Sequence, residues 1–310
     1  MSQKHPIIAV TGSAGAGTTS VQHSFAEIFR RLGIKAANVH GDAFFRYDRK
    51  EMSKAIDASI AAGKPISHFG PEANLFTELE TLFREYSATG TGTSRHYAAD
   101  ETEAALHNIP VGEFGAWAPL PGDADLLFYE GLHGGVTAST WTRRRTSPAH
   151  RPLQFPDRRK GDSGVDVSQY VDLLIGVVPA INLEWIQKIH RDCVTGGSAR
   201  EEVASAILRR MNDYIHFIVP QFSITDINFQ RVPMVDTSNP FATDDIPTAD
   251  QSLVVIHFRD PKRHDFPKLM EKISGSFMSR PNTMVVPGGD MVNALEIVCT
   301  PIIRSLIHTN

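Results

Sequence analysis

Short apolar runs alternate along this chain with longer amphipathic stretches. Residues 6–11 (PIIAVT) form an apolar, β-branched run that stops at Gly12, which predicts a buried strand. After a glycine-rich turn, apolar residues recur at Val21, Phe25, Ile28, Phe29 and Leu32, the spacing of one helix face, and Gly33 closes that helix. Residues 36–40 predict a second strand, followed at once by Gly41-Asp42, and helical patterns over 51–62 and 72–86 come next. The run 125–129 (DLLFY) predicts a third strand ending at Glu130. The run 171–178 (VDLLIGVV) predicts a fourth, and its unbroken apolar character marks a strand covered on both faces. Helices are predicted over 182–193 and 200–217, strands over 231–235, 253–258 and 283–286, and a closing helix over 291–306. Strands alternating with helices predict an α/β fold with a mixed, mostly parallel sheet flanked by helices. A single domain over residues 1–310 is expected.

Composition narrows the function classes. The net charge of −4 excludes a general electrostatic attraction to nucleic acid or anionic membrane, so neither partner is expected. Two cysteines, Cys193 and Cys299, cannot build a disulfide framework and suit a reducing compartment. The start of the chain lacks the long apolar core of a signal peptide. The longest later apolar run, over 173–181, is about half of what a membrane helix needs. A soluble, cytoplasmic protein is expected. One segment is discordant: residues 141–160 hold seven basic residues against Asp157, with three prolines and no periodicity. This reads as an exposed, mobile insertion at about 140–165 that chemistry does not need, with an arm that binds a polyanion or a partner as the alternative.

The first turn carries candidate chemistry. Gly12, Ser13, Ala14, Gly15, Ala16, Gly17, Thr18, Thr19 and Ser20 lie between a predicted strand and a predicted helix. Glycines let consecutive backbone N–H groups converge on phosphate oxygens, and the helix N-terminus adds its positive dipole end. A hydroxyl at Thr19 is suited to Mg²⁺ held by those phosphates. The pattern is that of a nucleotide-binding P-loop with one departure, Thr18 where lysine usually stands. The glycine spacing does not make a dinucleotide fingerprint, which disfavours an oxidoreductase.

Carboxylates fall where ligands bind in open α/β sheets, beyond the carboxyl ends of strands. Asp42 follows the second strand, Glu130 ends the third, and Asp192 lies on the helix after the fourth. A kinase needs one carboxylate to accept the acceptor hydroxyl's proton and others on the metal side. Asp42 suits the base and Glu130 the metal side. Lys188 and Arg191 share a helix face and could steady a transferring phosphoryl group, although an ordinary salt bridge from Lys188 to Asp192 is a real alternative. Arg209-Arg210 is a second candidate pair.

Taken together, VTGSAGAGTTS, GDAFFRY, LFYEGLHGG, VVPAINLEWIQKIHRD and IVPQFSITDINFQRVPMVDTSNPF resemble the bacterial phosphoribulokinase family over nearly the whole chain. The resemblance implies a P-loop kinase fold. It also implies MgATP-dependent phosphorylation of D-ribulose 5-phosphate at O1, the step that forms ribulose 1,5-bisphosphate in the reductive pentose phosphate cycle. It makes Asp42 the general base and Glu130 and Asp192 the metal-side acids. Lys188 and Arg191 become phosphoryl and substrate ligands, and Arg49 a sugar-phosphate ligand. It implies a homo-oligomer and NADH as an allosteric activator, with Arg31 and Arg280 matching the arginines involved and His257 replacing a third. Three departures stand out: Phe45 in place of a histidine, Tyr97-Ala98-Ala99-Asp100 without a histidine, and Gly196-Gly197 in place of an arginine. They predict weaker sugar-phosphate binding, which Phe45→His or Gly196→Arg should repair. Arg46, Arg95, His96 and Arg200 lie near enough in sequence to compensate. A P-loop kinase for another small alcohol, such as a nucleoside or a different pentose phosphate, and a weakly active nucleotide-binding paralogue are the competing readings.

Overall fold

A computed structural model describes residues 5–12, 18–137, 165–241 and 245–308. The basic segment 141–160 lies outside these residues. The sheet strands are β1 (Ile7–Gly12), β2 (Ala36–His40), β5 (Leu126–Gly131), β6 (Leu173–Val178), β7 (Ile227–Pro233), β8 (Ser252–Phe258), β9 (Phe277–Arg280) and β10 (Thr283–Pro287). They form one mixed sheet in the order β2-β5-β1-β6-β7-β8-β10-β9. β2 pairs parallel with β5, and β6 with β7. β7, β8, β10 and β9 then follow one another antiparallel. A separate ribbon pairs β3 (Thr93–Ser94) with β4 (Ala118–Pro119). The helices are α1 (Thr18–Leu32), α2 (Arg49–Ala61), α3 (Phe76–Thr89), α4 (Glu101–His107), α5 (Ile181–His190), α6 (Arg200–Asp213), α7 (Phe266–Lys272) and α8 (Met291–His308).

Two compact units emerge from the packing. The first comprises Met1–Ala9, Ala36–Asp172 and Arg210–Ile224. Its interior holds Leu79, Leu82, Phe83 and Tyr86 of α3 with Leu126, Leu127 and Tyr129 of β5. Asp48 starts α2 with a reciprocal cap: its carboxylate accepts from the Glu51 N–H, and the Glu51 carboxylate accepts from the Asp48 N–H. The Asp172 carboxylate accepts from the Ile7 N–H at 2.9 Å, satisfying the first donor of β1.

The second unit comprises Val10–Lys35, Leu173–Arg209 and Thr225–Asn310. Along β8, Ser252, Val254, Ile256 and Phe258 are buried while the residues between them are not, the period of two expected of a strand with one inward face. Arg31 of α1 reaches Glu296 of α8 at 2.7 Å. The segment Gly288–His308 is, among the described residues, the one stretch long and apolar enough to cross a membrane, yet Ala294, Leu295, Val298, Cys299 and Ile303 are buried inside the protein.

Several boundaries differ from expectation for visible reasons. The helix predicted from residue 72 starts at Phe76, because Asn74 donates to the carbonyls of His68 and Gly70 and holds a non-helical turn ahead of it. The strand predicted over 231–235 runs over Ile227–Pro233, with Ile227 and Phe229 supplying its buried positions. The helix predicted over 182–193 is regular to His190 and continues through Arg191–Thr195 as a wider π-type turn. The helix predicted over 200–217 likewise widens after Asp213. Helix α4 escaped prediction because it buries no residue; the Asp100 carboxylate, accepting from the Thr102 and Glu103 N–H groups, starts it instead.

Candidate active site

β1 ends at Gly12 and α1 begins at Thr18, so strand and helix bracket the expected phosphate loop. Ser13, Ala14, Gly15, Ala16 and Gly17 lie outside the described residues, and Thr18, Thr19 and Ser20 form the first turn of α1. Gly12 has a steric reason of its own. A Cβ there would lie 2.6 Å from the Val177 carbonyl oxygen of β6, so no larger residue fits without moving backbone.

Asp42 and Glu130 come together at the carboxyl ends of adjacent parallel strands, with His40 of β2 in register with Glu130 of β5. Two glycines permit this approach. A Cβ at Gly41 would lie 2.6 Å from the Tyr129 hydroxyl, and one at Gly131 would lie 2.6 Å from the Gly41 Cα. Asp42 sits in the 3₁₀ turn Gly41–Phe44, whose closing bond runs from the Phe45 N–H to the Asp42 carbonyl at 3.1 Å. Burial pushes the Asp42 carboxyl up to about 6, and the neighbouring Glu103 charge adds to that rise. Glu130 has His40 Nδ1 at 4.0 Å. Burial lowers the His40 pKa below its ordinary value, which favours neutral imidazole there.

The loop after Glu130 is tied from inside. The buried Gln221 accepts from the Gly135 N–H at 2.9 Å and donates to the carbonyls of Leu132 and Phe217 at 2.9 and 2.7 Å. Beside it, His133 packs edge-on against Phe76 at 4.7 Å between ring centroids. Burial lowers its pKa to about 3, so His133 is a neutral packing residue. Neither role was predicted. The IVPQF and LHGG segments that carry them contain no charged residue to draw attention.

In the second unit, Lys188, Arg191 and Asp192 form one cluster. Lys188 Nζ bonds one carboxylate oxygen of Asp192, and Arg191 Nε bonds the other at 3.0 Å. Burial alone would raise the Asp192 carboxyl, but these two cations outweigh it and hold the pKa below the ordinary carboxylate range. The salt bridge weighed as an alternative is therefore present, and it holds a deprotonated carboxylate and an ammonium in fixed geometry.

These features invite comparison with known proteins. The "Phosphoribulokinase / Uridine kinase family" matches residues 7–238. The chain belongs to this family. It is 51% identical over 309 residues to a phosphoribulokinase of Nitrobacter vulgaris, covering 99% of this chain and 98% of that protein. It is 52% identical over 309 residues to the chromosomal phosphoribulokinase of Cupriavidus necator, with the same coverage. The structure of a phosphoribulokinase from Rhodobacter spheroides superposes with a TM-score of 0.84 at 48% identity, covering 99% of each chain.

Within this family frame the remaining expected residues sort by what they touch. Arg49 opens α2, and its guanidinium donates to the Ala99 carbonyl at 2.6 Å. Arg210 lies with its guanidinium carbon 6.0 Å from the Phe69 ring centroid. Arg209 keeps its Nε buried with no hydrogen-bond partner among the described residues. Arg31 is already bonded by Glu27 and Glu296, and Arg280 is exposed on β9.

The residues weighed as replacements for missing polar contacts are mostly committed elsewhere. Arg46 donates to the carbonyls of Glu72 and Asn74, both at 3.0 Å, and Arg200 to that of Phe241 at 2.7 Å. His96 stacks on His107 at 3.7 Å. The Phe45 ring is edge-on to His68 at 5.3 Å and to Tyr97 at 5.9 Å. Gly196 cannot accept the arginine imagined for it without cost, because a Cβ there would lie 2.6 Å from the Asp192 carbonyl oxygen.

Proposed function

We propose that this chain transfers the γ-phosphoryl group of ATP to O1 of D-ribulose 5-phosphate, giving D-ribulose 1,5-bisphosphate and ADP. The observation that carries this reading is identity at about half of all positions with phosphoribulokinases along 98–99% of both partners. In the reaction a bond forms between O1 and the γ-phosphorus, and the bond from that phosphorus to the bridging oxygen of ADP breaks. Asp42 takes the O1 proton. A carboxyl at about 6 is largely ionised at neutral pH and is a stronger base than an ordinary aspartate, which suits it to a hydroxyl.

Lys188 presents an ammonium to the charge that spreads over the phosphoryl oxygens, held in place by Asp192. Mg²⁺ supplies charge neutralisation between the phosphates when bound. Among the described residues no group of three metal-ligating side chains exists. Mg²⁺ at nucleotide sites is ordinarily held by one or two carboxylates plus phosphate oxygens and water. Thr19, Glu130 and Asp192 are the residues assigned to that side. Arg49, Arg191, Arg209 and Arg210 are assigned to the sugar phosphate.

The same reading makes the protein a cytoplasmic homo-oligomer with one kinase domain. NADH, as an anionic activator at Arg31 and Arg280, would share the Arg31 guanidinium with Glu27 and Glu296, which bond its Nε and Nη1, or displace them. The test is a coupled ADP-release assay over ribulose 5-phosphate, other pentose phosphates and uridine. Ribulose 5-phosphate should give the highest kcat/KM. Faster turnover of another alcohol would transfer the assignment to it, and no turnover with any would favour a non-catalytic role.

A further inference from the structure

The turn that carries Asp42 has an unexpected clamp. Four consecutive backbone carbonyls, from Asp42 to Phe45, each accept a hydrogen bond. The Asp42 carbonyl takes the Phe45 N–H and the Phe44 carbonyl takes the Leu75 N–H at 2.8 Å. The other two are met by one side chain from a distant part of the sequence. Arg95 Nε donates to the Ala43 carbonyl at 2.8 Å and Arg95 Nη2 to the Phe45 carbonyl at 2.6 Å.

The β3–β4 ribbon frames this guanidinium. Ser94 pairs with Ala118, so Arg95 and Trp117 leave the ribbon side by side. The Arg95 guanidinium carbon lies 3.6 Å from the Phe114 ring centroid and 4.8 Å from that of Trp117. Trp117 in turn meets Phe44 of the Asp42 turn edge-on at 5.6 Å. Two aromatic faces attract the cation and restrict its rotation, and its planar fork supplies two N–H groups in fixed relation. A lysine would offer a point charge without that fork.

We propose that Arg95 is a positioning residue for phosphoryl transfer, fixing the 41–44 turn and so the aim of the Asp42 carboxylate. Arg95 does not touch the reacting atoms, and the proposal rests on the reading of Asp42 as the base. Misplacement of a reacting group by about 1 Å can cost about a hundredfold in rate, so loss of the clamp should appear in kcat.

The experiment is a double-mutant cycle with Arg95→Met, Asp42→Asn and the double variant, and with Arg95→Lys as the conservative change. Arg95→Met should lower kcat by roughly 10–100-fold while KM for ATP stays within about twofold, and Arg95→Lys should fall between it and the unaltered protein. In the Asp42→Asn background, Arg95→Met should cost less than about threefold, because the group it positions is gone. The same loss in both backgrounds, or an unchanged kcat, overturns the proposal. If Arg95→Met does not fold, the cycle is run with Arg95→Lys. Failure of both to fold assigns Arg95 a structural role and overturns it too. Asp42→Asn alone retaining more than about a tenth of turnover would defeat the general-base reading instead, and that outcome is read from a different arm of the cycle.

Discussion

Replacing Asp42 by asparagine removes a carboxylate that the fold makes costly to ionise. The ordinary value is 3.8, and burial with the Glu103 charge brings the folded protein's Asp42 to about 6. Below 3.8 the group is protonated whether the chain is folded or not, and it costs nothing. Between the two values the unfolded chain gives up its proton first, so stability falls as pH rises, and above about 6 the whole penalty is present. Each tenfold change in the ionisation constant corresponds to about 1.4 kcal/mol, which places the penalty at no more than about 3 kcal/mol. Partial access of water to the carboxyl reduces this to about 1–2 kcal/mol. Asp42→Asn keeps the side-chain size and removes the ionisation. It should therefore stabilise the protein by about 1–2 kcal/mol near pH 8 and by roughly half as much near pH 5. At the same time kcat should fall by roughly 10²–10⁴-fold. Paired urea titrations of the two proteins at both pH values measure the stability difference directly. A variant no more stable than the parent near pH 8, or a difference that does not grow from pH 5 to pH 8, would refute the buried-base argument.

Three further perturbations test other parts of the account. Gln221→Leu removes a buried side chain that serves Gly135, Leu132 and Phe217, and should cost about 2–4 kcal/mol, lowering the thermal melting temperature by roughly 3–6 °C. A melt within about 1 °C of the parent would show that the loop does not depend on the clamp. Gly12→Ala places a methyl group 2.6 Å from the Val177 carbonyl oxygen, so calorimetry should show weakened ATP binding in the folded variant; unchanged affinity would dissociate this strand end from the nucleotide site. Phe45→His adds a polar group beside His68 and Tyr97, and should lower KM for ribulose 5-phosphate by about tenfold with a smaller change in kcat, whereas an unchanged KM would separate this position from the acceptor.

Much of the fold was legible because burial repeats with the period of the element. The continuous apolar run of β6 and the spacing of Val21, Phe25 and Ile28 on α1 each identify an element without help from the rest of the chain. Elements without a buried face were not legible: α4 buries nothing, and β9 exposes Phe277, Ser279 and Arg280. The acids of the candidate site could be placed because strand ends in α/β proteins are where ligands bind, and the structure does bring Asp42 and Glu130 to neighbouring strand ends. Arg95 and Gln221 could not be assigned their tasks. Both act on backbone carbonyls or N–H groups, which every residue carries, so nothing in the partner sequence singles out the contact. Gly41 and Gly131 are intermediate cases. Each stands next to an acid in a recognisable pair of residues, but the reason for glycine is the approach of one strand end to the other, which only the structure displays.

The acceptor atom is identified by following the reaction of ATP, Mg²⁺ and ribulose 5-phosphate with the purified protein by phosphorus NMR. Transfer to O1 gives a second sugar phosphomonoester signal, coupled to the C1 methylene protons, growing in step with ADP while the original 5-phosphate is retained. ATP consumption without that signal, or its replacement by a phosphate on another carbon, would contradict the assignment of O1 of ribulose 5-phosphate as the acceptor.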